Sequence, residues 1–183
     1  MELNNFKNKY ENTTIDYPDY FLQPFHGYDT GNMNWLAAKE AEPATYSMAV
    51  SYWKNNSPFL TQDWMRNNIT ENIQKYLDKN SINVSDSILD IGCSIGISTE
   101  YMQRHFSQCN DIYGLDLSPY FVAIGNYRAN KNNIPIELIH GDAEHIPFDN
   151  EKFDLVVANF LFHEVPPIPT QTIIQECYRV LKP

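Results

Sequence analysis

The feature that most constrains this chain is a single junction. The apolar run Ser87-Ile88-Leu89-Asp90-Ile91 stops at Gly92, passes through Cys93-Ser94-Ile95-Gly96, and enters a helix-like segment, Ile97 to Phe106. A strand that ends in a tight glycine turn and continues as a helix is the opening unit of a parallel crossover. The pattern then repeats. Asp111–Asp116 reads as a second strand, and Ser118-Pro119 starts a helix, as cap and first position, that runs to about Asn130. Ile136–His140 is a third strand, and Phe153–Asn159 a fourth, apolar on both faces as a central parallel strand must be. The stripe Ile173, Ile174, Cys177, Tyr178, Leu181 makes a closing helix. The alternation predicts an α/β fold: a Rossmann-like parallel sheet with helices on both faces, in the order 3-2-1-4.

The first eighty residues have a different character, rich in aromatics and asparagine, so the chain divides into 1–80 and 81–183. Turn-prone pieces, Tyr17-Pro18-Asp19-Tyr20 and Gly27-Tyr28-Asp29-Thr30-Gly31, give way to helix-like sequence. Ser57-Pro58 starts a helix to about Asp78, with Leu60, Trp64, Ile69, Ile73 and Leu77 as its apolar stripe. Most of the aromatics must pack. Tyr20, Phe25, Tyr28 and Trp35 are candidates for a cap over a site, since aromatic faces also attract a sulfonium cation.

Thirteen basic against 23 acidic side chains leave a formal charge of −10, which repels phosphate backbones and argues against nucleic acid as a partner. No apolar run approaches the roughly 20 residues that span a bilayer. The first residues carry no basic segment followed by an apolar one, so no signal peptide is expected. Cys93, Cys109 and Cys177 are too few and too widely spaced for a disulfide framework, which suits a reducing, cytoplasmic or other intracellular setting.

Small residues at the Gly92–Gly96 turn let a ligand approach the backbone, and the following helix offers free N–H groups. Asp116 stands twenty residues beyond Gly96 at the end of the next strand, where a carboxylate can accept the ribose hydroxyls of an adenosyl cofactor. A dinucleotide fingerprint would place glycines where Ser94 and Ile97 stand, so a pyrophosphate fits poorly.

Asp90-Ile91-Gly92-Cys93-Ser94-Ile95-Gly96 instead resembles the first motif of the class I S-adenosylmethionine-dependent methyltransferases. Gly114-Leu115-Asp116-Leu117-Ser118, Gly141-Asp142-Ala143-Glu144-His145-Ile146-Pro147-Phe148, Phe153–Val157 with Phe162–Pro166, and Glu176–Pro183 resemble later motifs of that family, in order, and of its type 11 group. The resemblance implies S-adenosyl-L-methionine as cofactor. Asp90, Gly92, Ser94 and Gly96 would then serve the methionine part, Asp116 the ribose, and Asp142 and Ala143 the adenine, with Cys93, Leu117 and Asn159 also at the cofactor. Ser94 replaces the usual middle glycine, and its hydroxyl can reach the methionine carboxylate. Asp142 can instead cap a turn.

The resemblance also implies transfer of a methyl group to a small hydrophobic or aromatic molecule, with a non-catalytic binder of the cofactor as the rival. His163, Glu164 and Tyr28 are the substrate-side candidates. His163 can orient or deprotonate a hydroxyl, or simply hold its loop. No catalytic base is assigned and no metal is expected. His140 and His145 do not share a helical face. The family normally adds strands beyond the fourth. The fourth strand is therefore expected at a sheet edge, in a shortened chain or one completed by a second copy or a partner.

Overall fold

The computed structural model describes residues 2–183. Helix α1 (Glu2–Tyr10) leads into an irregular strap, residues 11–34. Helices α2 (Trp35–Tyr52) and α3 (Pro58–Lys79) form a hairpin. Then come β1 (Ser87–Ile91), α4 (Ile97–His105), β2 (Asp111–Asp116), α5 (Pro119–Asn132), β3 (Glu137–His140), β4 (Leu155–Ala158) and α6 (Pro167–Val180), with a single 3-10 turn at Ala143–His145. The four strands are parallel in the order β3-β2-β1-β4. The expected strand order is therefore present, and β4 is an edge strand.

Strand alternation divides the core into two layers. Ile88, Ile112 and Val157 face α3 and α4, packing with Leu77, Met102 and Phe106. Leu89, Ile91 and Leu115 face the other way, onto Ile146, Phe153, Ile173 and Val180. On the first face α4 packs on β1 and β2 and α5 on β3, while α6 is the one α-helix of the second cluster. Helices cover both faces, but unequally. Three free thiols, Cys93, Cys109 and Cys177, stand apart from one another.

Two expected stripes turn out differently. On α3 the buried positions of the first half are Thr61, Gln62, Met65 and Arg66, while Leu60 and Trp64 are exposed. The apolar side faces out because the polar side is used inside the molecule. On α6 only Ile173 and Val180 are buried. Ile174 and Tyr178 point to solvent, because α6 covers just one flank of the second face. That helix also starts six residues before the stripe, with Pro167 at its first position. Ser57 occupies the α3 cap position, but its hydroxyl makes no capping bond. Trp35 does not join the cap over the site. It opens α2, stacks edge-on against Tyr120 at 5.1 Å, and donates its indole N–H to Asn4 at 3.0 Å.

Candidate functional site

The carboxyl ends of the four strands meet the strap and the α2–α3 hairpin around a cavity of about 540 Å³. Open parallel sheets bind ligands at this end, where chain connections diverge to opposite sides. The turn after β1 is forced into shape by three left-handed residues: Gly92 (φ 66), Ser94 (φ 53) and Gly96 (φ 79). Glycine takes that conformation freely, whereas at Ser94 it is a strained choice. What holds Ser94 there is a bond from its backbone N–H to Asp116 Oδ2 at 2.7 Å. The other Asp116 oxygen accepts from the Ser118 N–H at 2.8 Å. Asp116 is thus pinned between the first turn and the start of α5, with a lone pair on each oxygen left over. Burial pushes its carboxyl up to about 7, against the pull of those two backbone donors.

Asp90 is fully buried, and its Oδ2 accepts from Ser98 and Thr99 hydroxyls at 2.6 and 2.8 Å. Burial raises its carboxyl above the usual range, opposed by those hydroxyls and by the charge of Arg66. Neither Asp90 nor Gly96 lies in the cavity wall; both support the turn from behind. Gly92, Cys93, Ser94, Asp116, Leu117, Asp142, Ala143 and Asn159 do line it, as do His163, Glu164 and Tyr28. Asp142 caps the 3-10 turn, accepting from the Glu144 N–H at 2.8 Å and lying 2.9 Å from His145 Nδ1. Cys93 is buried, and its thiol is pushed well above its ordinary value.

Three polar atoms here are buried without a hydrogen bond: Asp90 Oδ1, Asn159 Nδ2 and Arg66 Nε. Arg66 is 6% exposed, lies against the ring of Phe160 at 5.7 Å, and makes no salt bridge among the described residues. Burial lowers its affinity for the proton, and the nearby Asp90 raises it. A buried guanidinium on a cavity wall without a partner is costly unless an anion completes it. Nothing in the sequence singles out Arg66, since an isolated arginine on an amphipathic helix reads as a solvated one. Its neighbours Thr61, Gln62 and Met65 turning inward give the position away only in three dimensions.

The strap roofs the site. Asn12 N–H donates to His140 Nδ1 at 2.8 Å, so that nitrogen carries no proton. Nε2 then donates to Leu117 O, with Tyr17 Oη also within 3.1 Å. Tyr20 donates to Glu144 at 2.9 Å, Ser118 donates to Asn32 O at 2.6 Å, and Asn32 reaches Glu164 at 3.4 Å. Phe25 and Tyr28 exchange backbone bonds across a two-residue turn, His26-Gly27, both left-handed. That turn sets the His26 ring 5.8 Å from His163, with Phe25 beside both. Burial, then the neighbouring His163, lowers the proton affinity of His26. Burial raises the carboxyl of Glu164.

Residues 88–183, just over half of the chain, match the family profile of the methyltransferase domain. The chain belongs to that family, and within it to the class I S-adenosylmethionine-dependent group. A demethylmenaquinone methyltransferase of Lactobacillus johnsonii is 29% identical over 60% of this chain and 45% of its own. A methyltransferase of Synechocystis, without assigned substrate, is 36% identical over 58% of this chain and 47% of its own. The chain thus spans under half the length of these curated relatives. Among solved structures, a Methanococcus maripaludis protein assigned as an S-adenosylmethionine-dependent methyltransferase aligns over 93% of this chain and 64% of its own. Its TM-score is 0.62 at 18% identity, a likeness of fold.

The residues present fit the cofactor of that family. Asp116 keeps lone pairs for two hydroxyls, and an unpartnered guanidinium faces a cavity large enough for an adenosyl group.

Proposed function

We propose that this chain binds S-adenosyl-L-methionine across the ends of β1, β2 and β3 and serves transfer of its methyl group to a small hydrophobic or aromatic acceptor. The observation that carries this reading is Asp116, pinned by Ser94 and Ser118 on the wall of one cavity with Arg66, Asp142 and Asn159. In this reading Asp116 and Leu117 take the ribose, and Asp142 and Ala143 the adenine. The Gly92–Ser94 turn takes the methionine part, with Arg66 on its carboxylate. The cofactor supplies a methyl group already activated on a positive sulfur. The chain therefore needs to bind, align and keep water out.

Asp116, Asp142 and Glu164 bias the cavity towards a cation, and the faces of Phe25 and Tyr28 add to that bias. On the acceptor side stand His26 and His163. The lowered proton affinity of His26 leaves it neutral near pH 7, able to take a proton that the acceptor gives up on methylation. The acceptors of the curated relatives include a demethylmenaquinone, which agrees with an apolar, aromatic-walled space.

Calorimetric titration with the cofactor, beside an Asp116→Ala variant, tests the reading. Binding at micromolar strength, to within about tenfold, with at least a tenfold loss in the variant, is expected. A folded sample that binds nothing would sink it. Binding without turnover against quinols, phenols and small amines would leave a binder and remove the transferase.

A further inference from the structure

The α2–α3 hairpin carries a feature that the cofactor site does not use. Between Glu42 and Asp63 lie twenty residues with no acidic side chain and one lysine, Lys54, in a chain of net charge −10. Every residue of 51–60 except Trp53 is exposed. Tyr52 is 75% exposed and Phe59 69%, with Leu60 and Trp64 beside them. The rings are organised among themselves: Tyr46 meets Phe59 at 5.0 Å, and Trp53 bridges Tyr52 and Trp64 at 6.1 and 6.3 Å. The acids that flank the stretch are occupied elsewhere. Glu42 accepts from Tyr46 and pairs with Arg128 at 3.5 Å, and Asp63 accepts the hydroxyl of Tyr101.

We propose that this hairpin tip docks on a lipid bilayer surface, with the Tyr52, Trp53, Phe59 and Trp64 rings seated in the headgroup region. Rings that are apolar in body and polar at one end favour that depth, and an exposed patch of this kind marks an interaction site. No described helix is long and apolar enough to cross a membrane, so the contact is one of seating on the surface. Charge sets the orientation and the lipid. The tip carries only Lys54, while the acidic body is repelled by anionic headgroups, so neutral zwitterionic lipid is the surface that fits. The docked end is also the cavity end. The residues Ala37, Ala41, Ala44, Thr45 and Met48 of α2 line the cavity, and Tyr52 follows one turn after Met48. The docking claim stands apart from the methyl-transfer reading, because none of the tip rings lines the cavity.

Flotation of the full chain with phosphatidylcholine vesicles tests it, read by the bound fraction and by quenching of tryptophan emission with brominated lipid. The wild-type chain should float, and should keep floating at 0.5 M salt. Vesicles containing phosphatidylglycerol should bind it less well at low salt. Tyr52→Ser with Phe59→Ser should cut the bound fraction at least fivefold, with circular dichroism and cofactor titration unchanged. Absence of binding, binding unaffected by the double substitution, or binding to anionic vesicles alone and lost in salt would each overturn the proposal. So would sedimentation showing that the same substitutions abolish a dimer while vesicles stay bare, since the tip would then be a contact between two copies.

Discussion

Ser94 and Arg66 both sit where an isolated folding problem would not put them. A serine in the left-handed region costs about 1–2 kcal/mol, which glycine avoids at the expense of its larger unfolded freedom. Ser94→Gly should therefore raise stability by about 0.5–1 kcal/mol, read as a higher thermal midpoint. Unchanged or lower stability would mean that the serine hydroxyl repays its strain in the free protein. Gly96 is the opposite case. An added Cβ there would keep φ at 79 and stand 3.0 Å from Leu138, so Gly96→Ala should lower the midpoint by several degrees.

At Arg66 the test is chemical. Arg66→Met should weaken S-adenosylmethionine binding between tenfold and a hundredfold, the worth of about 1.5–3 kcal/mol for a charged hydrogen bond. Methylthioadenosine, which has no carboxylate, should bind wild type and variant alike. Equal losses for both ligands would place the arginine away from the carboxylate.

Among the elements, the strap behaves as a latch whose pin is His140. Asn12 requires an unprotonated Nδ1, and burial, helped by the charge of Lys7, holds the proton affinity of His140 below its ordinary value, against smaller effects of Leu117 O and Glu11. The unfolded chain therefore takes this proton first. The stabilisation is complete above about pH 6.5 and is lost as pH falls through the lower, folded value. Hydrogen exchange over residues 11–32 should show more opening at pH 5.5 than at pH 7.5, and His140→Gln should show little difference between the two.

The core elements were legible beforehand because their signals are local. The Gly92–Gly96 turn and Asp116 are fixed by spacing along the chain, and the strand runs by composition. The strap was not, since Asn12 and His140 are 128 residues apart and nothing in either neighbourhood names the other. Periodicity found helix α3 within a residue or two but misassigned the inner face of its first half. A repeat of Leu60 and Trp64 says that one side is apolar, and says nothing of whether that side meets protein.

For the molecule as a whole, the electrostatic expectation follows from the net charge of −10 and from where the carboxylates gather. Asp116, Asp142, Glu164 and Glu40 line the cavity against the single guanidinium of Arg66, and because burial raises the carboxyls of Asp116, to about 7, and of Glu164, the field is fullest above neutral pH. A cationic ligand gains from that field and a neutral one does not. The sulfonium cofactor should therefore bind more tightly than its demethylated, uncharged-sulfur product. That ratio should shrink as salt rises from 50 to 500 mM, measured by competition calorimetry. A ratio insensitive to salt would trace the preference to contact with the methyl group alone.

The strap touches Ser118, whose hydroxyl is given to Asn32 O while its own N–H holds Asp116. One residue thus ties the roof to the floor. A ligand seated on Asp116 lies beneath that segment, and lifting the segment breaks bonds at Asn12, Tyr20 and Asn32 together. On the proposed methyl-transfer reading, opening of the strap is the step expected to set the pace of turnover. In rapid-quench experiments the first turnover should run ahead of all later ones, with a burst close to one equivalent per chain, and loosening the strap should quicken the steady state while leaving the burst alone.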